Sequence, residues 1–227
     1  MSRWYKCLLI PLYLILGLAR AELDRVAKFP LQCSFNVTIT AHQVNSESED
    51  SFPPRLRTIG VYYDYVNKRG RADIQEGYEA AKVHLRRYDE GEDMEYMVRL
   101  PPIDDCKRSN LLEVMPYPLL PDTKFVKQLA CPKQSGQQCD YFLFTDYETK
   151  VHIYMDSSSG APVQLVHEVE VDEQDVPMLT YDYEDVLLGA PEPSFFELAS
   201  LDRQVENCDL HAGGFPYLHV FHYFVKF

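Results

Sequence analysis

Apolar and polar residues alternate along much of this chain at the two-residue period of half-buried strands. Phe35, Val37, Ile39 and Ala41 alternate with Asn36, Thr38, Thr40 and His42, which predicts a strand with its polar face outward. Residues 55–66 set Ile59, Val61, Tyr63 and Tyr65 on one face, and Asn67-Lys68-Arg69-Gly70 turns the chain into 71–75, a hairpin. Met94, Tyr96, Val98 and Leu100 alternate up to Pro101-Pro102, and 141–146 reads as a strand just after Cys139. Residues 150–171 read as two strands hinged on Asp156-Ser157-Ser158-Ser159-Gly160. Val151, Ile153 and Met155 share one face, and Val163, Leu165, Val169 and Val171 share a face of the return strand that His167 interrupts. Residues 179–185 and the aromatic stretch 217–227 add two more strands.

Helical signals are weaker. Residues 75–88 carry Ala80, Ala81 and Leu85 without a broad apolar stripe, and 109–115 offers Ser109 as an N-cap before Pro116 stops it. Short helices packed on an antiparallel sheet, a mainly β (α+β) fold, are the expectation. The polar, proline-ended stretch 46–54 reads as a loop.

The N-terminus sets the compartment. Arg3 and Lys6 precede the apolar run 7–18, and Ala19-Arg20-Ala21 is a small-x-small cleavage site, which together predict a secretory signal over 1–21. A dozen apolar residues fall short of the roughly 20 needed to span a bilayer, so no transmembrane span is expected. The expected product is one domain, 22–227, secreted or held in the secretory-pathway lumen. The 46% apolar and 13% aromatic content of the full chain excludes a disordered one. The signal carries three bases and no acids, so its removal takes the net charge from −13 to −16. That charge repels nucleic acid and anionic membrane surfaces.

Export makes the remaining cysteines presumptive disulfide partners. They are Cys33, Cys106, Cys131, Cys139 and Cys208. Five is odd, so one thiol either stays free and buried or pairs with another chain. Cys131 and Cys139 bracket a polar loop and can close on each other, while Cys106 competes for either partner. Asn36-Val37-Thr38 is a sequon whose asparagine falls on the polar face of its strand, compatible with an N-glycan.

Candidate chemistry is sparse. There is no Gly-x-Ser-x-Gly elbow, and Ser157 to Ser159 lie in a turn. His219 and His222 on a strand point to opposite faces, so one metal cannot readily take both. The acidic runs Asp182-Tyr183-Glu184-Asp185 and Asp89-Glu90-Gly91-Glu92-Asp93 do not match the twelve-residue calcium loop, and hydrated acidic loops account for them. No enzyme, metal site or cofactor is expected.

Several segments, in this order, resemble a LolA-like domain: 62–73 (Tyr62-Tyr63-Asp64 through Arg71-Ala72-Asp73), Cys139-Asp140-Tyr141-Phe142, the hairpin from Tyr154 to Val163, and Phe196-Glu197-Leu198 before Cys208. They are similar to the non-catalytic N-terminal half of secreted papain-like cysteine proteinases and, more distantly, to ependymin-related proteins. The resemblance implies a strongly curved antiparallel sheet, an incomplete barrel over short helices, whose concave face holds a lipid or other hydrophobic molecule. On that reading Ile153, Met155, Val163 and Leu165 line the ligand site. The proteinase's Cys-Gly-x-Cys-Trp segment has no counterpart, so hydrolysis is not implied. The alternative is an extracellular interaction or matrix module that engages a protein partner through acidic loops and the aromatic C-terminal strand.

Overall fold

The computed structural model describes residues 25–43, 56–77, 80–89, 91, 93–111, 114–120, 122–213 and 215. The expected signal segment, the loop at 46–54 and the aromatic strand at 217–227 lie outside these residues. Every strand expected within them is present. The strands are β1 (Gln32–Ala41), β2 (Leu56–Asp64), β3 (Arg69–Glu76), β4 (Lys82–Arg87), β5 (Met94–Arg99), β6 (Asp105–Asn110), β7 (Lys124–Ala130), β8 (Gln138–Asp146), β9 (Thr149–Asp156), β10 (Pro162–Val171), β11 (Gln174–Leu188) and β12 (Asp209–Leu210).

All twelve belong to one curved, open sheet in the order β12-β6-β5-β4-β3-β2-β1-β11-β10-β9-β8-β7. Neighbours are antiparallel except β12, which lies parallel to β6. Successive hairpins carry β2 to β6 away from one side of β1. The hairpins from β7 to β11 bring the chain back to its other side, where β11 pairs with β1.

This order forces two crossings. β6 lies beside one edge and β7 forms the other, so residues 111–123 must traverse a face. The described residues of this connection lie over the inner face, the one carrying the main core, where Met115 and Leu120 are buried with Ala27 and Phe29 from the start of the described chain. The two segments hold each other: Phe29 N–H donates to the Pro118 carbonyl at 2.9 Å and Leu120 N–H to the Ala27 carbonyl at 3.0 Å. The Thr123 hydroxyl accepts from Ala27 N–H and donates to the Leu120 carbonyl, each at 2.8 Å. Together they form a strap across the sheet.

The second crossing uses the opposite face. The chain leaves β11 in mid-sheet and passes through three 3-10 turns, η1 (Pro193–Phe196), η2 (Leu198–Leu201) and η3 (Val205–Asn207), to reach β6. Phe196, Leu198 and Leu201 bury Val83, Leu85, Met94, Tyr96 and Val98, and the Cys106–Cys208 disulfide closes this second core.

The helices expected at 75–88 and 109–115 do not form. Gly77 at φ +87° starts a turn in which a Cβ would meet the Leu56 carbonyl oxygen at 2.3 Å, and Ala81 at φ +62° completes it. Beyond the turn Val83 and Leu85 alternate with Lys82, His84 and Arg86, a strand period that overrides helix propensity. Ser109 caps nothing: it lies in β6, and its hydroxyl donates to the Gly213 carbonyl at 2.6 Å.

Candidate functional site

The inner face of β1, β2, β9, β10 and β11 is apolar because each strand turns one alternate set of side chains toward it. Ile153 and Leu165 are cross-strand partners, 1% and 0% exposed, and Met155 lies beside them in the same core with Val37, Val61, Tyr181 and Tyr183. Burial of a side chain of this size contributes roughly 1.5–3 kcal/mol. Val163 does not join the other three. Pro162 pairs with Met155 and Gln164 with Tyr154, which leaves Val163 as the extra residue of a bulge. The bulge places it with Tyr154 and the Cys131–Cys139 disulfide, in a separate cluster.

The strap fills the inner face. The gap left between Phe29, Cys33, Phe35, Tyr63 and Pro118 is about 10 Å³, the size of one water. The Tyr63 hydroxyl donates to the Pro116 carbonyl and so ties the strap to the sheet. Cys33 is the free cysteine among the described residues; it is buried, and loss of hydration pushes its thiol up to about 12, which keeps it protonated and unreactive. Asn36 lies on the outer face, where its amide donates to Asp185 at 3.1 Å and accepts from Gln75 at 3.2 Å.

Beyond β3 the pattern inverts. Ala72 pairs with His84 and His84 with Met97, so on β4 and β5 the inner side chains are Lys82, His84, Arg86, Glu95, Met97 and Arg99. Lys82, His84, Arg86 and Glu95 are all buried. Arg86 reaches Glu95 at 3.4 Å, and Glu95 also accepts the Phe215 N–H at 2.9 Å. Among the described residues neither ring nitrogen of His84 has a hydrogen-bond partner. Burial, with the positive charges of Lys82, Arg86 and Arg57, holds its pKa down at about 3, so the imidazole is neutral.

The unfolded chain takes up a proton on this histidine near its ordinary value of 6.5, whereas the folded protein refuses it until about pH 3. Stability is therefore lost as pH falls through that window, by up to about 1.4 kcal/mol per pH unit. In urea titrations between pH 7 and 4.5, His84→Leu should show a shallower loss than the parent. An unchanged slope would assign the proton to another group.

On the outer face Tyr141 OH lies 2.8 Å from His152 Nδ1, and His152 Nε2 lies 3.0 Å from Glu168. Burial, then Tyr154 and Glu168, raises the Tyr141 pKa. Asp182 accepts from Lys133 at 2.5 Å and from Gln164 at 2.7 Å. Among the described residues no group of three or more His, Cys, Asp and Glu side chains is placed to hold a metal.

The buried polar margin of β4 and β5 was missed in the sequence because charged residues read as solvent-facing and 75–88 reads as a helix. Its signal is the alternation Lys82-Val83-His84-Leu85-Arg86 beside Met94-Glu95-Tyr96-Met97-Val98-Arg99.

No family model matches the chain, and no curated protein matches it. Solved structures with a similar fold include an uncharacterized conserved protein from Thermus thermophilus, at 9% identity and a TM-score of 0.49, covering 78% of this chain and 89% of that one. MucB, solved in complex with MucA(peri), aligns at 11% identity and 0.46 over 87% of this chain, which spans 61% of MucB. A LolA superfamily protein from Nitrosomonas europaea aligns at 14% identity and 0.34, covering 79% and 97%. With every one of these TM-scores below 0.5, the functional reading rests on this chain's own residues.

Proposed function

We propose that this protein is an exported, non-enzymatic binding module that holds a lipid or other hydrophobic ligand against the inner face of its sheet. The carrying observation is how that face is covered. A broad apolar surface from β1, β2, β9, β10 and β11 is closed by a strap that is not itself a strand of the sheet: the bridge Lys28–Leu119 joins its own two segments, and its backbone meets the sheet at Arg25, whose carbonyl accepts from Phe125 N–H at 3.2 Å. Such a cover lifts at lower cost than a packed helix or a paired strand, and the surface beneath then offers Ile153, Met155 and Leu165 to an acyl chain. Two intrachain disulfides are compatible with export, and among the described residues no helix is long and apolar enough to cross a membrane.

Native mass spectrometry of the exported, deglycosylated protein, followed by organic extraction, tests the reading. A stoichiometric hydrophobic passenger on a monomer is expected, with uptake of a fluorescent fatty acid after delipidation. An empty monomer that takes up none would overturn it.

A further inference from the structure

The chain turns from β8 to β9 through two residues, Tyr147 and Glu148. A hairpin turn this short needs a positive φ at its first position, where glycine, asparagine or aspartate fits best. Tyr147 holds that position at φ +44° and is 98% exposed. Neither packing nor turn chemistry asks for an aromatic ring there. Asp146 and Glu148 flank it, and Glu170 N–H donates to the Glu148 carbonyl at 2.7 Å. That bond sets the adjoining turn alongside, with Glu170, Asp172 and Glu173 all exposed. The base closest in sequence, Lys150, is paired with Asp175 at 2.7 Å. Other tyrosines beside acids are out of reach. Tyr181 and Tyr183, on either side of Asp182, are each 3% exposed, Tyr96 beside Glu95 is buried as well, and Tyr88 before Asp89 is packed against the main core.

We propose that Tyr147 is a modification site whose phenol becomes a sulfate monoester during export. The phenolic oxygen attacks the sulfur of a nucleotide phosphosulfate, a mixed anhydride. The S–O bond to the phosphate breaks, the phosphate leaves with the electron pair, and the phenolic proton passes to a base of the transferase. The protein gains one sulfonate group and one negative charge. A phenol at the tip of a hairpin enters another enzyme's cleft without unfolding its own domain, and carboxylates on both sides complement a cleft made basic to hold the anionic donor. A phosphate ester would bring a charge of roughly −1.5 to −2 against those carboxylates, whereas the sulfate ester brings a single one. Sulfation rests on the export part of the proposed function and is independent of any ligand on the inner face.

Cultured animal cells secreting the full chain in radiolabelled sulfate supply the test. The label is read on protein recovered from the medium and freed of N-glycans, so export is established before sulfate is counted. The parent should carry label, and peptide mass spectrometry should place one sulfonate on Tyr147 that phosphatase does not remove. Tyr147→Phe should fall to background at an unchanged melting temperature, since the side chain lies in solvent. Asp146→Asn combined with Glu148→Gln, which leaves the tyrosine in place, should lower incorporation several-fold. An unlabelled parent, label undiminished in Tyr147→Phe, or a mass gain that phosphatase removes would each overturn the site. Full incorporation in the acid-to-amide variant would overturn the recognition assigned to the flanking carboxylates.

Discussion

Replacing Cys106 and Cys208 together by alanine should lower the melting temperature by roughly 8–16 °C, the effect of about 4 kcal/mol on a domain of this size. The two cysteines are 102 residues apart. A cross-link spanning that much chain removes more freedom from the unfolded state than a short one, about 4.7 kcal/mol on the chain-entropy account. It also pins the returning segment 193–208 to β6, where Cys106 and Cys208 are buried among Val98, Leu198 and Leu201. The Cys131–Cys139 bridge spans 8 residues, so its double-alanine variant should lose less. Differential scanning calorimetry of both variants decides the matter, and equal losses would show that loop length is not what sets the effect.

Phe196→Ala is expected to cost about 3–5 kcal/mol, the range for emptying a fully buried aromatic site. Phe196 is 0% exposed and is the largest of the fully buried side chains among the described residues. Its ring packs in the second core under the Arg69 guanidinium, 5.0 Å from the ring centroid, while its own carbonyl accepts from Arg87 at 3.2 Å. The backbone hydrogen bonds of the 3-10 turns run within the segment itself, so its hold on the sheet comes from buried side chains, Phe196 the largest of them, together with the disulfide. Phe195 supplies the control. It is 36% exposed and stacks on Tyr62 at 4.5 Å, so Phe195→Ala should cost no more than about 1.5 kcal/mol. A Phe196→Ala protein that unfolds at the parent's urea midpoint would mean that the segment is held by the disulfide alone.

The strands whose inner and outer residues differ sharply were legible in the sequence. β1, β2, β5 and β9 each show a clear alternation, β10 shows one broken at His167, and the hinge at 156–160 is a turn in which the Asp156 carboxylate accepts the Ser158 and Ser159 N–H groups at 3.1 and 2.7 Å. A period of two shows that a strand has two faces but not which of them looks inward. The sequence therefore could not say that Val83 and Tyr96 lie on the opposite side of the sheet from Val61 and Ile153, nor that Lys82 and Glu95 are buried. The first depends on residues 193–208 crossing the outer face, and the burial of Glu95 on a residue far downstream, Phe215, whose N–H reaches it in the inner core. β7 escaped for another reason: it is an edge strand, exposed along most of its length, so no apolar set stands out. The bulge at Val163 leaves only Pro162 as a trace, a residue that sheets tolerate at bulges and edges. The cysteine count announced an odd thiol, but only packing shows that it is Cys33.

The pairing of β1 with β11 carries a kinetic consequence. Cys33 lies opposite Leu188 and Ile39 opposite Tyr181, contacts that join the first strand to the last long one. During synthesis β1 emerges early and stays a bare edge with an apolar face until nearly the whole chain is made. Sheets dominated by such non-local pairings fold in roughly milliseconds to seconds rather than microseconds. An unfinished chain of this kind is prone to associate with its own copies through that edge. The interval between the appearance of β1 and the arrival of β11 is thus the stage at which a chaperone would most improve the yield of native protein.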